Sequence, residues 1–115
     1  MTTSSGQHQQ HVYRIDKFKV PPSAREDFFA GVRESQGFLS TLPGFVGDSI
    51  FEQMRGPGAF NFVTVVEWES AEAVEGAQKS VAAKYESIGF NPQERRARLG
   101  IEADVAIYRA TPRAS

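Results

Sequence analysis

The residues that could do chemistry are few. The 115-residue chain has no cysteine, which excludes thiolate nucleophiles, thiolate metal sites and disulfides. Its two histidines, His8 and His11, make an H-x-x-H pair with no acidic or third imidazole ligand nearby. They read as solvated tail residues, and no metal ligand is assigned. What remains is carboxylate, hydroxyl, phenol and indole. Asp16 is the one acid inside the stretch VYRIDKFKV, with Arg14 and Phe18 two residues away on either side. Buried beside Phe18 it would be a candidate general base; left exposed it would be a partner for Arg14. Trp68 offers a flat wall for an aromatic ligand and one N–H donor, or else closes the core at a strand end. Thr64 lies four residues before it on the same strand face and is its best polar neighbour for a ligand. Tyr85 falls on an apolar helix stripe, where its phenol could hold a substrate oxygen or simply edge the core. Phe28, with Phe29 and Phe38, could wall an apolar ligand or fill the space one would need.

Other charged groups read as structural. Glu52 and Glu67 are strand residues that could pair with Arg14 or Arg55 across strands. Asn61 sits close to a turn. Arg95, Arg96 and Arg98 are three arginines in four residues. They are either an anion-steering patch near a pocket mouth or a solvated helix face favoured by the helix dipole. Gly56-Pro57-Gly58 lacks the lysine and helix of a phosphate loop, and no nucleophile elbow, zinc signature or dinucleotide fingerprint is present.

The elements that must position these groups follow from periodicity. Val12 to Val20 is rich in β-branched and aromatic residues and predicts a strand that Pro21-Pro22 stops. Ser23 with Glu26 forms a capping-box pattern, and Phe28, Phe29, Val32, Leu39 and Leu42 recur at helical spacing up to Pro43-Gly44. Strands over Phe45–Arg55 and Ala59–Glu69 flank Gly56-Pro57-Gly58 as a hairpin. Ser70 caps a second helix with the stripe Ala73, Val74, Ala77, Val81, Tyr85 and Ile88, and Gly89 ends it. Asn91 and Pro92 open a short helix, with Glu94 completing a second capping box, and Gly100 closes it. Ile101 to Arg109 is the last strand.

The order β-α-β-β-α-β is the split βαβ arrangement, an α+β, ferredoxin-like fold. Right-handed crossovers put both helices on one face of an antiparallel sheet. Residues 1–10 read as a disordered tail, 11–110 as a single domain and 111–115 as a frayed end. In FNFVTVVEW both faces are apolar at the centre. One face packs on the helices; Val63 and Val65 on the other need a separate cover. A second copy of the same sheet supplies it, so the expectation is a homodimer closed into an α+β barrel.

Composition bounds the rest. A net charge of −1 removes the electrostatic case for nucleic acid or a polybasic membrane surface. No apolar run approaches a membrane span, and the first residues lack the layout of a signal peptide. A cytoplasmic protein is expected.

Pro43-Gly44-Phe45 after the first helix, Trp68-Glu69-Ser70 at the third strand's end, and the hairpin between them resemble the antibiotic biosynthesis monooxygenase domain family over about Val12 to Tyr108. The resemblance implies a small dimeric barrel and, in many members, oxygenation of aromatic polyketides without a cofactor. Trp68 is retained. The quinone-forming members carry an asparagine where this chain has Thr64 and a tyrosine where it has Val74. The haem-degrading members carry a histidine at the position of Gln78, which disfavours haem here. The reading is a cofactor-independent monooxygenase-like protein for an aromatic small molecule, with Trp68 and Asp16 as catalytic candidates and Thr64, Tyr85 and Phe28 against the substrate. The alternative is a non-enzymatic ligand-binding module on the same scaffold.

Overall fold

The computed structural model describes residues 10–112. Along the chain run β1 (Val12–Lys19), α1 (Arg25–Leu39), β2 (Phe45–Glu52), β3 (Phe62–Trp68), α2 (Ala71–Ile88), α3 (Pro92–Leu99) and β4 (Glu102–Arg109). The strands form one antiparallel sheet in the order β2-β3-β1-β4, the expected ferredoxin-like topology. The expected tail before residue 10 lies outside the described residues.

Register assigns each strand residue to a face. On the inner face, Phe18 opposes Phe62, Asp16 opposes Thr64, Arg14 opposes Val66 and Val12 opposes Trp68. The helices cover this face with two apolar clusters. Phe28 of α1 closes on Phe18, Phe62, Val20 and Ile101 at one end. Val74 and Ala77 of α2 close on Val66 and Trp68 at the other, with Leu39 and Leu42 beside them. Each well-buried large side chain contributes roughly 1.5–3 kcal/mol relative to exposure.

The outer face carries Tyr13 and Ile15 of β1, Val63 and Val65 of β3, Phe51 of β2 and Tyr108 of β4, as the strand registers require. No described helix packs on it, and Phe51 and Tyr108 remain 55% and 42% exposed.

Local chemistry explains most element ends. Ser70 Oγ accepts from the Ala73 N–H at 3.1 Å, and Asn91 Oδ1 accepts from the Glu94 N–H at 3.1 Å. Gly89 and Gly100 take the left-handed conformation after α2 and α3. The N–H groups of Phe90 and Ile101 then return to the Tyr85 and Arg96 carbonyls at 2.9 Å, the six-to-one closure of a Schellman motif.

Several boundaries differ from the sequence reading. Ser23 does not cap α1: Pro22–Ala24 forms a 3₁₀ turn after Pro21, and Ala24 occupies the cap position without a side-chain bond. Helix α1 ends at Leu39, where the Ser40 and Thr41 hydroxyls donate to the Gly37 and Phe38 carbonyls. The hairpin strands are shorter than expected. Gln53 Nε2 donates to the Gly58 carbonyl at 3.1 Å and to that of Gly56 at 3.3 Å, which gathers 53–61 into a loop. Asn61 ties that loop to β1's end: its side-chain amide accepts from the Val20 N–H at 2.8 Å and donates to the Val20 carbonyl at 2.9 Å.

Candidate functional site

The two apolar clusters do not meet. Between them, on the inner face of the sheet, lies the polar pair Asp16 and Thr64, with Arg14 in the next row. Thr64 is 8% exposed, and the Asp16 side chain 17%. Arg14 Nε donates to Asp16 Oδ1 at 2.6 Å, so the two charges neutralise one another inside the fold. Opposite them, Gln36 follows Val32 by one turn on α1, and its amide nitrogen is buried with no hydrogen-bond partner. Polar groups across the middle of a core cost stability, because burial removes their water.

The space over this polar seam is a cavity of about 510 Å³ between the sheet and the three helices. Small-molecule sites span roughly 300–1,000 Å³. Asp16, Thr64, Trp68, Tyr85 and Phe28 all line this one cavity. Trp68, 2% exposed, stands edge-on to Phe45 with ring centroids 5.8 Å apart, so it serves both as core and as wall. Tyr85 reaches in from α2 with its ring against Phe90 at 5.0 Å. Phe28 packs among Phe18, Phe29 and Phe62 and closes one end. Phenylalanines therefore fill that end and leave the rest open. Phe38 stands at the wall under the Lys84 ammonium, 4.1 Å from its ring centroid.

Other residues lie elsewhere than expected. Glu52 pairs with Arg25 at 2.7 Å, and Glu67 on the outer face meets His11 Nδ1 at 2.6 Å, so neither engages Arg14 or Arg55. His11 is thus held against the sheet instead of being a free tail residue; His8 lies outside the described residues. The sequence reading missed Gln36 and gave Arg14 no site role. It weighed Arg95 and Arg96 mainly as solvated surface, yet both line the cavity. Gln36 stands at helical spacing from Phe28, Val32 and Leu39, a polar residue set within the apolar stripe.

Fold and cavity together define a small α+β protein with an open space of small-molecule size between its sheet and helices. Residues 11–85, more than half of the chain, match the family described as antibiotic biosynthesis monooxygenase, and the chain belongs to that family. No curated protein matches it. Among similar solved structures is a Shewanella loihica protein provisionally assigned as a monooxygenase, with 18% identity over 91% of this chain and 98% of that one, and a TM-score of 0.70. SnoaB of Streptomyces nogalater, a cofactor-independent oxygenase, has 19% identity over 92% and 96%, with a TM-score of 0.64. The heme-degrader MhuD of Mycobacterium tuberculosis, holding two hemes in its active site, has 19% identity over 90% and 99%, with a TM-score of 0.64. At these identities the likeness establishes the fold alone.

A haem is tested by the donors the cavity offers. Its described lining contains no imidazole, thiolate or thioether, and Gln78 is among the lining residues. This donor set does not fit a histidine-ligated haem. Among the described residues no helix is long and apolar enough to cross a membrane.

Proposed function

We propose that the protein is a cofactor-independent monooxygenase-like enzyme that oxidises an aromatic, polyketide-type small molecule in the helix–sheet cavity. The observation that carries the reading is the polar group of Arg14, Asp16, Thr64 and Gln36 lining a cavity whose other walls include Trp68, Phe28, Val66 and Leu39. Aromatic and aliphatic walls suit a flat ligand; the polar group supplies a base, a cation and an amide.

The chemistry needs little more than orientation, a proton acceptor and exclusion of water. Asp16 takes the proton of a bound phenol or enol. Arg14 and the Gln36 amide stabilise the oxyanion that forms. The anion passes one electron to dioxygen, and superoxide recombines with the substrate radical to a peroxide. Loss of water leaves a carbonyl, so a CH₂ group and O₂ become C=O and H₂O. Trp68 and Phe28 wall the ring system, and Thr64 and Tyr85 offer hydroxyls to its oxygens.

The proposed working unit is a homodimer joined through the outer sheet face. Val63, Val65, Ile15 and Phe51 make that face apolar enough to require a cover. The ion pair between Arg14 and Asp16 favours a second reading, ligand binding without turnover, because the carboxylate is already engaged.

Oxygen uptake with a panel of anthrones and quinols separates the two. The oxygenase reading expects uptake above the buffer rate, reduced by more than about tenfold in Asp16→Asn, with circular dichroism showing the variant folded at the assay temperature. Ligand-dependent thermal stabilisation with no uptake on any substrate would refute it in favour of a binding protein.

A further inference from the structure

Charge around the cavity is distributed unevenly by depth. Apart from the neutral pair of Arg14 and Asp16, its charged lining comprises Asp27, Glu34, Lys84, Arg95 and Arg96. The two acids are exposed, and the three cations are half-buried. Lys84 rests on the Phe38 ring. Arg95 is held in position from α3: its Nη2 donates to the Asp27 carbonyl at 2.9 Å. Its guanidinium lies on α1 at Gly31, where a β-carbon would come within 2.7 Å of Nη1. Among the described residues, neither Arg95 nor Arg96 has a carboxylate within 4.0 Å. Arg98, two positions on, is exposed. A partly exposed guanidinium at the cavity wall with no carboxylate partner keeps N–H donors that an anionic ligand can engage. Its planar fork matches the two oxygens of a carboxylate.

We infer that Arg95 and Arg96 recognise a carboxylate on the ligand, so that the substrate class is an aromatic acid. This rests on the cavity being the ligand site. Arg95 meets α1 at Asp27 and Gly31, on either side of Phe28, and so marks the Phe18–Phe28–Phe62 end. A ring system lying over the polar seam from the Trp68 side directs its acid arm towards α3.

The chain has one tryptophan, and it lines the cavity, so quenching of Trp68 fluorescence reads binding directly. The probes are anthraquinone-2-carboxylate and its uncharged carboxamide, compared at low salt. The carboxylate is expected to bind about tenfold or more tighter. Arg96→Gln should remove most of that preference while leaving the carboxamide's affinity unchanged. Gly31→Ala should weaken it in part, because the new methyl displaces the Arg95 guanidinium without deleting its charge. Melting curves establish that each variant folds. Equal affinity for both probes would overturn the carboxylate site and leave the cavity reading intact. Failure of both to bind would overturn both. A preference that survives Arg95→Gln combined with Arg96→Gln would assign the anion to another cation and overturn the inference.

Discussion

Replacing Gln36 with methionine should make the free protein more stable and its ligand complex weaker. The Gln36 amide nitrogen is buried without a partner, on the face of α1 turned to the cavity. An unpaired buried donor costs about 1–3 kcal/mol. Methionine has nearly the same length and helix propensity, so the helix term cancels. The expected gain is about 1–2 kcal/mol. For a domain of this size 1 kcal/mol moves the midpoint by about 4–8 °C, so the melting temperature should rise by about 4–16 °C. Urea titrations followed by far-ultraviolet circular dichroism measure the change, with an unaltered slope as the control for two-state behaviour. Both proteins are compared at one concentration, because the stability of an associating chain depends on it. An anthraquinone whose carbonyl accepts from this amide should bind about tenfold more weakly. A fall in stability of more than about 1 kcal/mol would refute the reasoning: the amide would then be satisfied in the free protein and not held for a ligand.

Three further outcomes are expected. Val65→Lys sets a charge at the centre of the outer face and should convert a sedimenting dimer into a monomer; a wild-type monomer would refute the proposed assembly. Asn61→Ala strips the partners from both polar groups of Val20 and should cost about 2–3 kcal/mol in a urea titration. Gly44→Ala should destabilise well beyond Gly56→Ala. Both glycines have positive φ, at a cost near 1 kcal/mol for alanine, but only at Gly44 would the new β-carbon strike the Ala73 side chain.

How much the sequence revealed varies with the length over which each signal extends. Strand order and the helix caps at Ser70 and Asn91 were legible, since alternation and turn chemistry repeat over many residues. Ser23 misled because its capping pattern is local, and the preceding Pro21-Pro22 turned the chain into a 3₁₀ turn. Parity along β1 and β3 placed Asp16 and Thr64 on the faces of Phe18 and Trp68, so the cavity lined by both was half visible. Gln36 was hidden because one glutamine in an apolar stripe is indistinguishable from a tolerated exception until its partners are known. For Arg95 and Arg96 the sequence left a pocket-mouth patch and a solvated face both open, because α3 is short and polar, with too few apolar residues to reveal its inward face. Arg95 reaches α1 at the Asp27 carbonyl and the bare backbone of Gly31, contacts remote in sequence.

The most direct measurement is transfer of isotopically labelled dioxygen into an anthrone, followed by mass spectrometry of the quinone. The expected result is one labelled oxygen in the new carbonyl, formed by the wild type well above the buffer rate and largely lost in Asp16→Asn. Labelled product at the buffer rate, from a protein that still binds the anthrone through the cavity, would contradict an oxygenase function and leave a ligand-binding protein.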